Sequence, residues 1–213
     1  MTDLSLHEAM YTLRAMRRLK PDPIPEEDLR YIVDAATMAP TATNAQEWAF
    51  IVVTDPDQRR AIGEIYREIG QRVIRDDALA SGRLPKKTAK VYRNAMILVE
   101  TMATVPAQIV VATRGSHPTD AGQATAFYGS VYPAVQNLML AARSRGLGTT
   151  LTTLHKARER DVKAALGIPE EYETIALIPV GYPRGRWGKP LRRPSQEVTH
   201  WDRWGGAAPK RRG

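Results

Sequence analysis

The sequence predicts a single layered α/β (α+β) domain. Two observations predict it. Helical and β-type hydrophobic patterns alternate along the chain without an internal repeat. The length of 213 residues, with 43% hydrophobic residues, suits a sizeable core in one domain.

The elements follow in order. Leu4 to Met16 reads as a helix, because Leu6, Ala9, Met10, Leu13 and Met16 recur at three- and four-residue steps and Ser5 supplies a cap. Pro21-Asp22-Pro23 breaks it. A second helix starts at Pro25, where Glu26, Glu27 and Asp28 suit the positive N-terminal end. It buries Leu29, Ile32, Val33 and Ala36 and stops at Met38-Ala39-Pro40, since a residue before proline resists the α conformation. Thr41 to Glu47 is a polar loop, and Trp48 to Thr54 is a strand. Asp55-Pro56-Asp57 opens a charged helix, Gln58 to Ser81, followed by a basic hinge, Ser81 to Lys87. A further helix runs through Met102, and Ala107 to Thr113 is the second strand. After a loop from Gly115 to Asp120, one long helix is expected from Gly122 to Ser144, closed by Gly146. Gly148 to Leu154 is the third strand, Lys156 to Leu166 a helix ending at Gly167, and Thr174 to Val180 the fourth strand. From Gly181 the chain is rich in Pro, Arg and Trp and reads as an extended arm.

Composition removes several classes of function. There is no cysteine, which excludes disulfides, thiolate metal sites and cysteine nucleophiles. That absence, with a start at Met1-Thr2-Asp3 lacking a secretory signal pattern, leads us to expect a cytoplasmic protein. The longest apolar runs, Ala95 to Thr104 and Val131 to Ala142, are too short or interrupted to span a bilayer. His7, His117, His155 and His200 lie at no metal-ligand spacing. Tyr128-Gly129-Ser130-Val131-Tyr132 lacks the second glycine of a nucleophile elbow, and Gly146-Leu147-Gly148 ends a helix rather than opening one, so it is no dinucleotide fingerprint.

The net charge of +8 admits a basic surface with a charged tail, Pro209 to Arg212, or attraction to an anionic partner. Within it, Arg14-Ala15-Met16-Arg17-Arg18 places permanent cations beside an apolar helix rather than in a tail. Arginine offers a planar fork of donors that fits phosphate oxygens bidentately. Few aromatic residues interleave with these cations, which counts against a nucleic-acid stacking platform.

Four segments carry a resemblance. Ala39-Pro40-Thr41-Ala42-Thr43-Asn44-Ala45-Gln46-Glu47-Trp48-Ala49-Phe50 resembles the signature loop of the FMN-dependent nitroreductase family. Arg14-Ala15-Met16-Arg17 is similar to that family's phosphate clamp. Tyr132 to Leu138, with Gly146-Leu147-Gly148-Thr149, resembles its central helix and following strand. Pro179-Val180-Gly181-Tyr182-Pro183, with Leu191-Arg192-Arg193-Pro194, resembles its closing strand and arm. The segments occur in the family's order and span nearly the whole chain.

The resemblance implies a central mixed sheet of four or five strands flanked by helices, in an intertwined homodimer with FMN at the interface. Residues 1–181 would form the FMN-binding unit. Residues 182–213 would be an arm that crosses to the partner, with Trp187, Trp201 and Trp204 as anchors; an isolated chain would leave these tryptophans and the long apolar helix exposed. On the phosphate it implies Arg14, the backbone N–H of Ala15, Arg17, and Arg192 or its neighbour Arg193. Near the ring and ribityl chain it implies Pro40 and Thr41, and at the ring edge the Asn44 amide, which offers both donor and acceptor. Leu151, Thr152 and Thr153 would lie against the ring, with Leu154 beside them. Taken singly, the arginines also read as solvated helix-end and tail charges, Asn44 as a turn residue and residues 151–154 as a buried strand. Trp48 and Phe50 read as core.

The implied activity is a two-stage oxidoreduction in one site. NADH or NADPH gives hydride to FMN, and a small electron-poor acceptor (a nitroaromatic, quinone or activated alkene) then takes the electrons. No side chain is assigned as acid or base. Enzymes of this fold that fragment flavin or remove halogens are the alternative, separable by the lid between Tyr66 and Lys90. Outside catalysis, flavin sequestration or nucleic-acid binding remains as a further class. Three residues depart from the family pattern: Ala15 replaces a usual Ser, Glu47 a usual Pro and Leu19 a usual Phe.

Overall fold

The computed structural model describes residues 4–74, 82, 84–115 and 117–209. Four strands form one sheet in the order β1-β2-β4-β3, where β1 is Trp48–Val53, β2 Ala107–Arg114, β3 Gly148–Thr149 and β4 Tyr172–Gly181. All three pairings are antiparallel. The expected mixed sheet is therefore not seen among the described residues: the helical excursions between strands are long enough to return the chain in either direction, so helix–strand alternation does not dictate parallel pairing.

Helices cover both faces. On one face α2 (Glu26–Thr37) and α6 (Tyr132–Ser144) close a core with Ile109, Val111, Ala176 and Ile178. On the other, α3 (Pro56–Val73), α4 (Lys86–Thr101) and α7 (Glu159–Leu166) pack Ile62, Leu98, Val99 and Val162 against Val110 and Leu177. The alternation of Ile109, Val110 and Val111 between the two cores follows from the two-residue strand period. α1 (Leu6–Thr12) and α5 (Ala121–Gly129) complete the described helices.

Three differences from the sequence expectation shape the site. The first helix ends at Thr12, not Met16, because residues 14–20 are drawn alongside the sheet edge. Met16 N–H donates to the Thr149 carbonyl (2.8 Å), Arg184 N–H to the Arg18 carbonyl (2.9 Å) and Lys20 N–H to the Tyr182 carbonyl (2.8 Å). Gly148 and Gly181, opposite each other, permit this close approach: a Cβ on Gly148 would come within 2.9 Å of Met16 Cβ, and one on Gly181 within 3.1 Å of Leu19 Cβ.

The long helix expected from Gly122 to Ser144 is two helices, α5 and α6, parted at Ser130 and Val131. Pro133 explains the break, since it has no N–H for the carbonyl four residues earlier and its ring crowds that carbonyl.

The third strand keeps only two residues plus one bridge, Thr152 to Leu177. Continuing that register places Pro179 opposite Thr150. Pro179 cannot donate the next ladder hydrogen bond, so Thr150 and Leu151 leave the sheet. The last residues of the charged helix (75–81) and Arg83 of the basic hinge lie outside the described residues.

The apolar face of α6 is buried within the single chain, through Ala134, Val135, Leu138 and Ala142. That face is therefore not left exposed in an isolated copy, contrary to expectation. Trp187 is half-buried, whereas Trp201 is 45% and Trp204 90% exposed. No helix among the described residues is long and apolar enough to cross a membrane.

Candidate functional site

The detachment of Thr150 and Leu151 opens one side of a groove of about 930 Å³, inside the range of about 300–1,000 Å³ for small-molecule and cofactor sites. α1 and the extended segment after it supply Tyr11, Arg14 and Ala15 to one wall. Lys189, Arg192 and Arg193 of the arm line the groove as well. Met10, Met139 and Leu151 give the lining an apolar floor, and Gln136 brings one amide.

Four cations thus face this groove, Arg14, Lys189, Arg192 and Arg193, and no Asp or Glu lines it. Among the described residues none of the four makes an ion pair. Arg14 donates to the carbonyl of Arg186, Arg192 to that of Leu191 (3.0 Å), and the Lys189 ammonium sits 5.4 Å from the centre of the Tyr11 ring. Thr149, which also lines the groove, is 1% exposed, and its hydroxyl oxygen has no hydrogen-bond partner among the described residues. A buried polar atom without a partner is costly unless something outside the chain satisfies it. The chemistry offered is that of a site for a multiply charged anion joined to a flat, partly apolar body, and FMN has that form: its phosphate carries about −2 near neutral pH, by analogy with phosphorylated side chains.

Five expected residues meet in this groove: Arg14, Ala15, Leu151, Arg192 and Arg193. The other six do not line it. Arg17 is half-buried; its charge acts on the buried Tyr66 phenol, whose pKa is raised by burial while the hydrogen bond to Thr152 and the charge of Arg17 oppose that rise. Thr152 is engaged elsewhere, with its hydroxyl 3.0 Å from the Tyr66 hydroxyl and its backbone bridged to Leu177. Thr153 is exposed beside it. Thr149 and Gln136 are groove residues that were not picked out; both lie inside segments that carried the resemblance, so the signal was present.

Pro40, Thr41 and Asn44 belong to a different part of the molecule. Thr41 lines a second cavity of about 490 Å³ with Gln46, Glu47, Arg114 and Ser130, and the two cavities share no lining residue. Pro40 is exposed and lines neither. This loop is strained: Thr43 (φ 52°), Asn44 (φ 57°) and Gln46 (φ 50°) are left-handed without being glycine. Such backbone is rare for a β-branched residue and costs on the order of 1–3 kcal/mol per residue. Its surroundings hold it: Ala42 N–H donates to the Ser130 hydroxyl (3.0 Å), Gln46 N–H to the Thr41 hydroxyl (3.2 Å), and the Gln46 amide to Asn44 Oδ1 (3.1 Å). Trp48 and Phe50 pack against the core, as expected.

A second charged region is the opposite in kind. Lys156 Nζ lies 2.6 Å from Glu159 Oε2 and 2.9 Å from Glu173 Oε1. Tyr128 donates to Glu173 (3.2 Å) and meets His117 Nδ1 at 2.5 Å. The Thr174 hydroxyl donates to Glu159 (2.7 Å), so it accepts from His155 Nε2 (3.1 Å). Burial, aided by the neighbouring Lys156 charge, pushes His155 down to about 4. Burial also raises Glu159, but its hydrogen bonds with Lys156 and Thr174 outweigh that and hold it below the usual carboxylate range. Burial and the charge of Glu173 push the Tyr128 phenol up to about 12. Among the described residues no group of three or more His, Asp or Glu is placed to hold a metal.

The model of the nitroreductase family matches residues 13–182. The chain is 32% identical over 178 residues to a 5,6-dimethylbenzimidazole synthase of Rhodospirillum rubrum, covering 80% of this chain and 78% of that protein. It is 28% identical over 204 residues to an NADH dehydrogenase of Thermus thermophilus, covering 88% and 91%. Its fold superposes on oxidized iodotyrosine deiodinase bound to FMN and 3-iodo-L-tyrosine with a TM-score of 0.70, at 24% identity, over 89% of this chain and 96% of that one. With the family pattern matched across most of its length, from the arginine segment to the end of β4, the chain belongs to the nitroreductase family.

Proposed function

We propose that this chain is an FMN-dependent oxidoreductase that passes electrons from NADH or NADPH to a small electron-poor organic acceptor. The observation that carries the proposal is the groove between α1 and the arm, where four cations that make no ion pair among the described residues stand, with no carboxylate, beside Met10, Met139 and Leu151. Arg14, Arg192 and Arg193, with Lys189, would hold the phosphate through charge-assisted hydrogen bonds. The Thr149 hydroxyl and the Gln136 amide offer partners to polar edges, while Met10, Met139 and Leu151 exclude water from one face. Bound FMN supplies the hydride and electron chemistry, and the chain supplies position and electrostatics.

The separation of the loop around Thr41 and Asn44 from this groove supports a homodimer in which a second copy brings that loop to the flavin. β1 is an edge strand, and Leu191 (84% exposed) and Trp204 (90%) stand unburied on the arm. Both features suit an arm that crosses onto the partner, with residues 1–181 as the flavin-binding unit and 182–213 as that arm. Pro40, Thr41 and Asn44 would then approach the ring from the partner, with Leu151, Thr152 and Thr153 on the other side and Ala15 and Arg17 at the phosphate end. A cytoplasmic setting fits the cysteine-free composition.

A second reading is an enzyme of the same fold that fragments flavin or removes a halogen. The relatives named 5,6-dimethylbenzimidazole synthase and iodotyrosine deiodinase favour it.

Anaerobic visible spectroscopy tests the proposal. Purified protein is expected to show flavin bands that bleach with NADH or NADPH and return when a nitroaromatic or quinone is added. Colourless protein that takes up no added FMN would overturn it. Irreversible loss of the flavin bands during aerobic turnover, or halide release from a halogenated phenol, would select the second reading.

A further inference from the structure

Arg143 is a charged residue on the last turn of α6 with 8% of its side chain exposed. Its Nε donates to the Thr12 hydroxyl (2.9 Å), and its terminal nitrogen lies 3.5 Å from Glu8 Oε1. Its guanidinium carbon stands 4.2 Å from the centre of the Trp187 ring. One buried cation therefore ties together three elements: α6, the end of α1 and the root of the arm. The two elements it joins to α6 are those that wall the groove. Met10 and Tyr11 lie on α1 and Leu13, Arg14 and Ala15 directly after it, while residues Lys189 to Ser195 begin two positions after Trp187. Neither Arg143 nor Trp187 lines the groove.

We propose that Arg143 and Trp187 form a clamp that presents Arg192 and Arg193 to the phosphate, making this pair the positioning device by which the site selects a phosphorylated flavin over an unphosphorylated one. Residues 188–195 form no helix or strand apart from the start of a 3₁₀ turn at Ser195, so the arm has little regular structure of its own to set their direction. Burying Arg143 is expensive when its ion-pair partner, Glu8 at 3.5 Å, is itself half-exposed, and a cation over an aromatic face recovers part of that loss only while the ring stays in place. The side chain thereby holds the ring, and the ring holds the start of the arm. Arg14 reinforces this by donating to the carbonyl of Arg186, one residue before the ring.

The inference rests on the FMN reading above, and flavin-fluorescence titration separates the two. Wild-type protein titrated with FMN and with riboflavin is expected to prefer FMN. Trp187→Leu keeps apolar bulk but removes the π face, and should weaken FMN binding by about tenfold, the scale of a desolvated cation–π contact, while riboflavin affinity stays within about twofold. Trp187→Phe should restore most of the preference, and Arg143→Met should lose it as Trp187→Leu does. If wild-type protein binds neither flavin, the FMN reading fails. If wild-type protein prefers FMN and both Trp187→Leu and Arg143→Met keep that preference, or lose FMN and riboflavin affinity equally, the clamp is refuted.

Discussion

The two ends of β4 invite comparison. Toward Pro179 and Gly181 the strand supports β3 and, through the detached Thr150 and Leu151, the groove in which Arg14, Lys189, Arg192 and Arg193 meet no carboxylate. Toward Tyr172 it carries Glu173 and Thr174 into a network where Lys156 is shared by two carboxylates and His155 is kept neutral. At one end the charges satisfy one another and their work is to fasten α5 and α7 to the sheet. At the other, Arg14 and Arg192 donate to main-chain carbonyls and Lys189 lies near the Tyr11 ring, and no carboxylate lines the groove among the described residues. Exposed cations of like sign repel only modestly in water, so the arrangement is tolerable, but it becomes favourable when an anion arrives. Charge that is paired and buried speaks for architecture; charge that is unpaired and convergent speaks for a ligand.

The strongest way to break this contrast is to remove cations from the groove. Arg14→Ala combined with Arg192→Ala should weaken FMN binding by roughly two to four orders of magnitude, since each charge-assisted hydrogen bond contributes about 1.5–3 kcal/mol. Thermal unfolding of the flavin-free protein should stay near wild type, because both side chains are exposed. Unchanged affinity in fluorescence titration would mean that the convergence is accidental.

The network end should respond to acid instead. His155 titrates at about 4 in the folded chain against an ordinary 6.5. Its contribution is therefore complete above pH 6.5 and is lost as pH falls toward 4, by up to about 3 kcal/mol. Glu159, also held low, loses its contribution in the same direction. Denaturant titrations across that window should show the fall, and His155→Gln should flatten much of it.

Removing the shared cation with Lys156→Met should cost about 2 kcal/mol of stability, less than a fully buried pair because Lys156 and Glu159 are part-exposed. Flavin affinity should not move. A large affinity loss there would show that the two ends of the strand are coupled.

The strained loop provides the smallest probe. Ser130→Ala removes the hydroxyl that accepts from Ala42 N–H, and should lower stability by about 1 kcal/mol. Faster proteolysis at residues 41–47 would mark the loosened backbone.

Much of this arrangement was legible before any coordinates. Pro25 and Pro40 bracket α2, and the run from Phe50 to Val53 marks a strand, as does Ala107 to Thr113, although their antiparallel pairing and the edge position of β1 did not show in the sequence. Arg14, Leu151, Arg192 and Arg193 emerged from short motifs and do meet in one groove. Pro133 also announced the break between α5 and α6, in a rule as local as the one that ended α2, though the apolar spacing around it argued for continuity. What stayed hidden was long-range. Pro179 shortens β3 only because the register sets it against Thr150, and Thr12 ends α1 because Met16 finds a better partner in Thr149 than in the helix. Arg143 and Trp187 are separated by 44 positions with no motif linking them.

Local chemistry alone determined where most helices and strands lie and which side chains are able to hold an anion, because these follow from backbone sterics and side-chain donors within a few residues. Tertiary structure decided which of those side chains share a cavity, which loop is held apart from it, and which buried charges cancel, because register, burial and the desolvation of ions depend on neighbours the chain brings together only when folded.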